Sequence, residues 1–153
     1  MSFAVVIPGD PRGKGSVRVG RWGAYKDTKT ENYMATCILA MRDELGGTPP
    51  IAEPTRVTIA AFVARPQALI PKAKSRVEQP PAVAFYAPVK PDLDNLSKSI
   101  CDALTQAGVI VDDSRVVELR MTKCYVPVGV APYVAVRVEV AKRWDGELGW
   151  WAR

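Results

Sequence analysis

Residues 90–113 read KPDLDNLSKSICDALTQAGVIVDD. Across residues 92–106 the apolar side chains recur every three or four positions, which is typical of a helix with one buried face. The predicted buried stripe consists of Leu93, Leu96, Ile100, Leu104 and Ala107. Gly108 stands where a left-handed residue commonly ends a helix. Residues 109–111 then predict a short strand that leads into two consecutive aspartates.

Several carboxylates and one lysine are concentrated around this helix. Asp92 stands where a helix N-cap commonly lies, and Asp94 and Lys98, four residues apart, share one face. Asp112 and Asp113 end the following strand and are expected to return to the same spot. Each feature alone is more often a cap, a surface ion pair or a turn, and only the combination predicts a metal site. Carboxylates without nitrogen or sulfur partners suit a hard cation such as Mg²⁺.

Composition excludes several kinds of chemistry. The 153 residues include no histidine and three cysteines, none of them in a CxxC pair. A Ser-His-Asp or Cys-His arrangement is therefore excluded, and the cysteines alone cannot complete a four-ligand zinc site. The net charge is +5, and the first thirty residues contain six basic against two acidic residues, which is +4 of that total. This distribution favours a polyanionic substrate such as DNA.

The rest of the chain predicts a single domain. Further strands are expected at residues 3–7, 56–64, 116–126 and 133–141, and a first helix is expected to follow Thr28. The order indicates an α/β (α+β) fold in which two helices pack on one mixed sheet. Three segments have no clear period: a basic loop or loose hairpin at 9–30, a proline-rich connection at 65–88 and a tail at 142–153.

The apolar runs are all short. None approaches the roughly 18 residues that a membrane span needs, and the N-terminus lacks the basic region of a signal peptide. We therefore expect a cytoplasmic protein with no membrane partner.

Around the second helix the sequence resembles the RusA-type Holliday-junction resolvases, a family of small crossover-junction endodeoxyribonucleases, many of them encoded by phages and prophages. The similarity rests on KPDLDNLSK at 90–98, DAL at 102–104, Gly108 and DDSRVV at 112–117. It is close over about residues 88–125 and fainter over 14–33, and the tail has no counterpart. Some relatives have an arginine cluster before the first aspartate, where this chain has only Lys90.

This resemblance implies a homodimeric, metal-dependent α/β nuclease that selects four-way DNA junctions. The metal-binding aspartates of the family fall on Asp92, Asp94 and Asp113, and its catalytic lysine falls on Lys98. Two further motif positions are matched by Asn95 and Asp112. The expected reaction is Mg²⁺-dependent resolution of Holliday junctions by paired symmetric nicks in DNA recombination and repair, with Mn²⁺ as a substitute ion. The expected setting is a bacterial or phage-infected cell.

Basic residues near the N-terminus and before the second helix are expected to contact DNA. They are Lys14, Arg18, Arg21, Lys26, Lys29 and Lys90. Two other functions remain open. A non-catalytic DNA-binding module would bind DNA without a divalent metal, whereas a metal-dependent phosphohydrolase would act on small nucleotides. The extended basic segment disfavours the phosphohydrolase, because a small substrate needs no such surface.

Overall fold

The computed structural model describes residues 2–14, 18–20, 23–25, 28–70 and 85–142. The strands that it describes are β1 (Ser2–Pro8), β2 (Arg18–Gly20), β3 (Gly23–Tyr25), β4 (Thr55–Val63), β5 (Val116–Tyr125) and β6 (Tyr133–Val140). The α-helices are α1 (Thr28–Leu45) and α2 (Leu93–Ala107), and short 3-10 turns lie at Gln67–Leu69 and Asp113–Arg115.

In the described part of the chain, four strands form one mixed sheet in the order β1-β6-β4-β5. β6 pairs antiparallel with both β1 and β4, whereas β4 and β5 are parallel. A parallel pair requires a crossover connection, and α2 lies in the connection between β4 and β5. The short strands β2 and β3 pair with each other as a separate hairpin. The predicted α+β fold, with two helices and a mixed sheet, is confirmed.

The core lies between the two helices and one face of the sheet. Along β6, Val134, Val136 and Val138 are buried, as the alternating pattern predicts. Helix α1 contacts both β1 and α2, while α2 also contacts β5. The buried residues of the helices are Tyr33, Cys37, Met41, Leu96, Ser99, Ile100, Ala103, Leu104 and Ala107. No helix among the described residues is long and apolar enough to cross a membrane.

The ends of α2 confirm one expectation and correct another. Gly108 has φ 81° and ψ 22°, and its N–H donates to the carbonyls of Leu104 and Thr105, so the predicted left-handed end is present. Leu93, however, is 44% exposed and does not belong to the buried stripe. It is the first residue of the helix and therefore lies one turn beyond the residues of α2 that pack against the core.

The predicted strand at residues 109–111 is only a single bridge. Ile110 pairs in parallel with Ile51, through bonds from Ile51 N to Val109 O (2.9 Å) and from Val111 N to Ile51 O (3.1 Å). The chain then turns at once into the 3-10 turn at Asp113–Arg115. This turn ends the pairing before a strand can form.

The proline-rich connection at 65–88 is described only at its two ends, and residues 71–84 lie outside the described part of the chain, as do residues 143–153 of the tail. Its second end runs beside β5. Tyr125 N donates to Phe85 O at 2.8 Å, and Ala87 N donates to Lys123 O at 3.1 Å. The connection therefore approaches α2 along the outer edge of the sheet.

We predict that Leu104→Ala lowers the free energy of unfolding by about 2–5 kcal/mol, because it leaves a cavity at a side chain with no exposed surface. Leu93→Ala, the matched control on the same helix, should lower it by less than about 1 kcal/mol. Urea denaturation followed by circular dichroism measures both values. Equal losses in the two variants would contradict the assigned rotation of α2.

Candidate functional site

Asp92 occupies the N-cap position of α2 but does not cap the helix with its side chain. Its backbone is extended, with φ −70° and ψ 150°, and no capping hydrogen bond involves its carboxylate. The helix begins instead with the bond from Leu96 N to Asp92 O, at 3.1 Å. The predicted N-cap position of Asp92 is therefore confirmed, whereas its side chain makes no capping bond. The Asp92 carboxylate is exposed and makes no capping bond, although Asp92 occupies the cap position.

Asp94 and Lys98 form the predicted pair on one face of α2. Lys98 Nζ lies 3.6 Å from Asp94 Oδ2, and the two side chains are 64% and 67% exposed. An exposed pair of this spacing contributes only a few tenths of a kcal/mol. Either side chain can therefore exchange its partner for another ion at little cost.

A loop after β1 lies against the first turn of α2. Lys14 N donates to Asn95 O at 3.2 Å. A Cβ added to Gly13 would lie 2.8 Å from the Cβ of Asn95 and 3.4 Å from the Cβ of Pro91. Only glycine fits this approach. Asn95, matched to a motif position in the sequence, is therefore the place where the basic N-terminal segment meets the helix.

Lys14 continues from this contact toward the middle of α2. Its Nζ donates to Asp102 Oδ2 at 2.8 Å. This hydrogen bond, together with the charge of Asp102, raises the pKa of Lys14, and the charge of Asp113 raises it further. The expected phosphate contact of Lys14 stays a prediction. A phosphate that binds there has to compete with the Asp102 carboxylate.

Asp112 and Asp113 have different surroundings although they are neighbours and both are exposed. Asp112 Oδ1 accepts a bond from Ser114 N at 2.9 Å and begins the 3-10 turn. Hydrogen bonds from the Ser114 side chain and then from its backbone lower the pKa of Asp112. Asp112 thus has a local structural role.

Asp113 lies beside the middle of α2. The pKa of the Cys101 thiol is raised to about 11, first by burial and then by the negative charges of Asp113 and Asp102. The 3-10 turn that begins with Asp113 contacts α2, and the negative charge of Asp113 also raises the pKa of Lys14, which is paired with Asp102. Asp92, Asp94 and Lys98 lie at and just after the start of α2.

The described residues contain no group of three histidine, cysteine, aspartate or glutamate side chains close enough to hold a metal ion by themselves. The chemistry of the exposed carboxylates nevertheless fits Mg²⁺. This ion keeps several of its waters and is usually held by one or two carboxylates together with substrate phosphates. Asp92, whose side chain makes no capping bond, and Asp94, whose ion pair is weak, are suitable oxygen donors at the start of α2.

The other predicted DNA contacts are described only in part. Arg21 and Lys26 lie outside the described residues, and only the backbone of Arg18 is described, in β2. Lys29 is exposed in the first turn of α1. Lys90 is exposed two residues before Asp92.

Sequence reasoning missed Lys123. Its Nζ donates to the backbone carbonyls of Val89 and Pro91, the second at 2.7 Å, directly before the start of α2. A signal was available, since Lys123 interrupts the alternating apolar positions of Leu119, Met121 and Tyr125 in β5. Nothing in the sequence showed which carbonyls it reaches.

The comparison with protein families agrees with this arrangement. The family model of the endodeoxyribonuclease RusA matches residues 8–139. A search of individually curated proteins gives no match. The fold consists of two helices on a mixed sheet, and acidic residues lie around the second helix. The family that matches this chain is a nuclease family. The chain belongs to the RusA endodeoxyribonuclease family.

The matched range is wider than the sequence similarity around α2 suggested. It begins at Pro8 and therefore includes the loop at Gly13 and Lys14, as well as the hairpin of β2 and β3. It also extends to Glu139 in β6. The basic N-terminal segment and the acidic helix thus both lie within the range that the family model matches. In the structure they contact each other at Asn95.

We predict that Gly13→Ala destabilises the protein by about 1–3 kcal/mol, because the added methyl group overlaps Asn95. In an Asn95→Gly background, which lacks the opposing Cβ, the same substitution should cost at least about 0.5 kcal/mol less. A double-mutant cycle by urea denaturation measures this coupling. Additive effects would mean that the loop does not lie against Asn95 in solution.

Proposed function

We propose that this protein is a divalent-metal-dependent endodeoxyribonuclease that cleaves four-way DNA junctions. One observation supports this most directly: Asp92 and Asp94, with Lys98 one turn further on, lie exposed at the start of α2. These are the residues that match the family motif, in a chain that belongs to a nuclease family.

The three aspartates are the proposed metal ligands. Asp92 and Asp94 offer carboxylates from the start of α2, and Asp113 offers one from the turn that follows the helix. These carboxylates would hold Mg²⁺, or Mn²⁺ in its place, which would supply an activated water and a counter-charge for the leaving oxygen of a phosphodiester.

The proposed role of Lys98 is to stabilise negative charge on the phosphate. Lys98 is 64% exposed and lies one helical turn from Asp94, so its ammonium can turn from that carboxylate toward a bound phosphate. Preorganised charge of this kind commonly contributes a few kcal/mol to catalysis. Its separation from the buried face of α2 leaves it accessible to DNA.

The basic residues of the N-terminal segment are proposed to bind the DNA backbone. The contact of Lys14 with Asn95 ties the start of that segment to the acidic helix, so DNA held by Lys14 passes close to α2. Further backbone contacts are proposed for Arg18, Arg21, Lys26 and Lys29. Lys90 is exposed two residues before Asp92 and adds a cation to the segment that leads into α2.

A homodimer is part of this proposal. A four-way junction is close to two-fold symmetric, and a two-fold dimer presents two equal sites to opposed strands. Paired symmetric nicks follow when both sites act. The reaction belongs to DNA recombination and repair.

The proposal is tested with a synthetic four-way junction and a linear duplex of the same sequence, each with and without Mg²⁺. Cleavage of the junction alone, and only with metal, is expected. Binding with no cleavage would instead identify a DNA-binding module. Hydrolysis of free nucleotides with no preference for branched DNA would identify a phosphohydrolase.

We predict that Asp94→Asn reduces junction cleavage by about a hundredfold or more, because an amide keeps the shape of the ligand but loses its charge. Junction binding should be unchanged or tighter, since one charge that repels phosphate is gone. Asp43→Asn, the same change at an exposed residue of α1, is the control and should keep full activity. Full cleavage by Asp94→Asn would refute the assigned ligand.

We predict that Lys98→Ala slows single-turnover cleavage at saturating protein by about 10²–10³-fold. Its free energy of unfolding should change by less than about 1 kcal/mol, since its ion pair is exposed. Lys142→Ala, which removes an exposed lysine after β6, is the matched control. A rate for Lys98→Ala within a few-fold of this control would make Lys98 a surface residue only.

A further inference from the structure

Lys123 lies on the core-facing side of an edge strand. In the parallel pair of β4 and β5, the buried residues Val57, Ile59, Ala61 and Val63 lie beside Leu119, Met121, Lys123 and Tyr125. Lys123 is thus the only charged residue in that row of β5. A lysine at such a position has to bring its ammonium to polar partners, because burying an unpaired charge is unfavourable.

Its partners are backbone carbonyls of the segment before α2. Lys123 Nζ donates to Val89 O and, at 2.7 Å, to Pro91 O. The backbone of Lys123 contacts the same segment, because its carbonyl accepts a bond from Ala87 N at 3.1 Å. One residue of the sheet therefore holds the chain at three points between Ala87 and Pro91.

The two carbonyls belong to the segment of the chain that leads into the candidate site at the start of α2. Val89 and Pro91 flank Lys90, and Pro91 O belongs to the peptide that leads into Asp92. Proline has no N–H, so Pro91 can be anchored through its carbonyl but not through its amide. Asp92 makes no capping bond of its own. Its backbone is held by Leu96 N on one side and, through Pro91, by Lys123 on the other.

We propose that Lys123 is a positioning residue of the reaction: it fixes the segment 89–92 so that the Asp92 carboxylate and the Lys90 ammonium stand at the start of α2. This inference rests on the proposed function. Hydrogen bonds from a charged donor are roughly twice as strong as neutral ones, so a single ammonium holds two carbonyls firmly. The ammonium itself stays on the backbone and touches neither DNA nor metal.

Lys123→Met is the direct test, because methionine keeps an unbranched stem but loses the donors. The matched control is Arg120→Met on the same strand. Arg120 belongs to the alternate row, and its side chain is 68% exposed and paired with Glu118. Three quantities are measured for each variant: the single-turnover cleavage rate, the dissociation constant for the junction and the Mg²⁺ concentration at half-maximal rate. Hydrogen exchange of peptides that cover residues 85–96 is measured without metal or DNA.

For Lys123→Met we expect a rate at least about tenfold lower and a Mg²⁺ midpoint about tenfold higher, since groups that orient metal ligands commonly change affinity or activity by 10–100-fold. The junction dissociation constant should stay within about threefold. Peptides over 85–96 should exchange faster, whereas peptides from β1 and β6 should not change. Lys123→Arg, which retains a charged donor, should recover most of the rate.

Different results overturn different parts of the inference. A wild type that leaves junctions intact with Mg²⁺ and Mn²⁺ removes the proposed function and the positioning role with it. If the wild type cleaves, a Lys123→Met rate within threefold of Arg120→Met overturns the positioning role alone. A loss of affinity with a salt slope lower by about one would make Lys123 a phosphate contact instead.

If Lys123→Met does not fold, Lys123→Arg decides between the outcomes. A cleavage rate and a Mg²⁺ midpoint near those of the wild type support the positioning role, and a hundredfold loss of rate in the folded variant overturns it.

Discussion

The packing of α2 against the core is the contact on which the candidate site depends. Leu96, Ile100 and Leu104 are fully buried on one side of this helix. Successive residues of a helix are about 100° apart, so Asp94 lies about 200° from Leu96 around the axis. Burial of the stripe therefore turns Asp94 and Lys98 toward solvent. The hydrophobic core sets the direction of the acidic face without touching it.

The rotation of α2 could be predicted from the sequence, because hydrophobic periodicity and the glycine that ends the helix are local signals. The alternating valines of β6 could be predicted for the same reason. The terminal residues were harder. Leu93 follows the period of the stripe but lies beyond the part of the helix that is covered, and its 44% exposure reflects its place at the end. Hydrophobic periodicity predicts which face of a helix is buried, but it does not predict the residue at which the core that covers this face ends.

Long-range polar contacts could not be predicted. Lys14 and Asp102 are 88 residues apart in the chain, and Lys123 is 32 residues from Pro91. Composition identified basic and acidic segments, yet a lysine forms similar bonds with any carboxylate or carbonyl within reach. The sheet order decides what is within reach, since the parallel pair of β4 and β5 places Lys123 beside the segment before α2. Only the folded chain selects the partner.

The charges along α2 occur in exposed pairs that exchange easily. Lys98 faces Asp94 and Lys14 faces Asp102, with side-chain exposures of 64%, 67%, 61% and 27% in that order. Exposed pairs contribute at most about 1 kcal/mol, so neither pair locks its members. In the metal-dependent nuclease that we propose, this arrangement has a clear use. Carboxylates can release lysines to bind a cation, and the released ammonium groups then lie within reach of the phosphate that the cation binds.

Before DNA arrives, the same lysines offset the negative charge of the aspartates, which would otherwise repel the DNA backbone. An unpaired cluster of the same carboxylates would present that repulsion to every approaching strand, so the lysine pairs favour the approach of DNA.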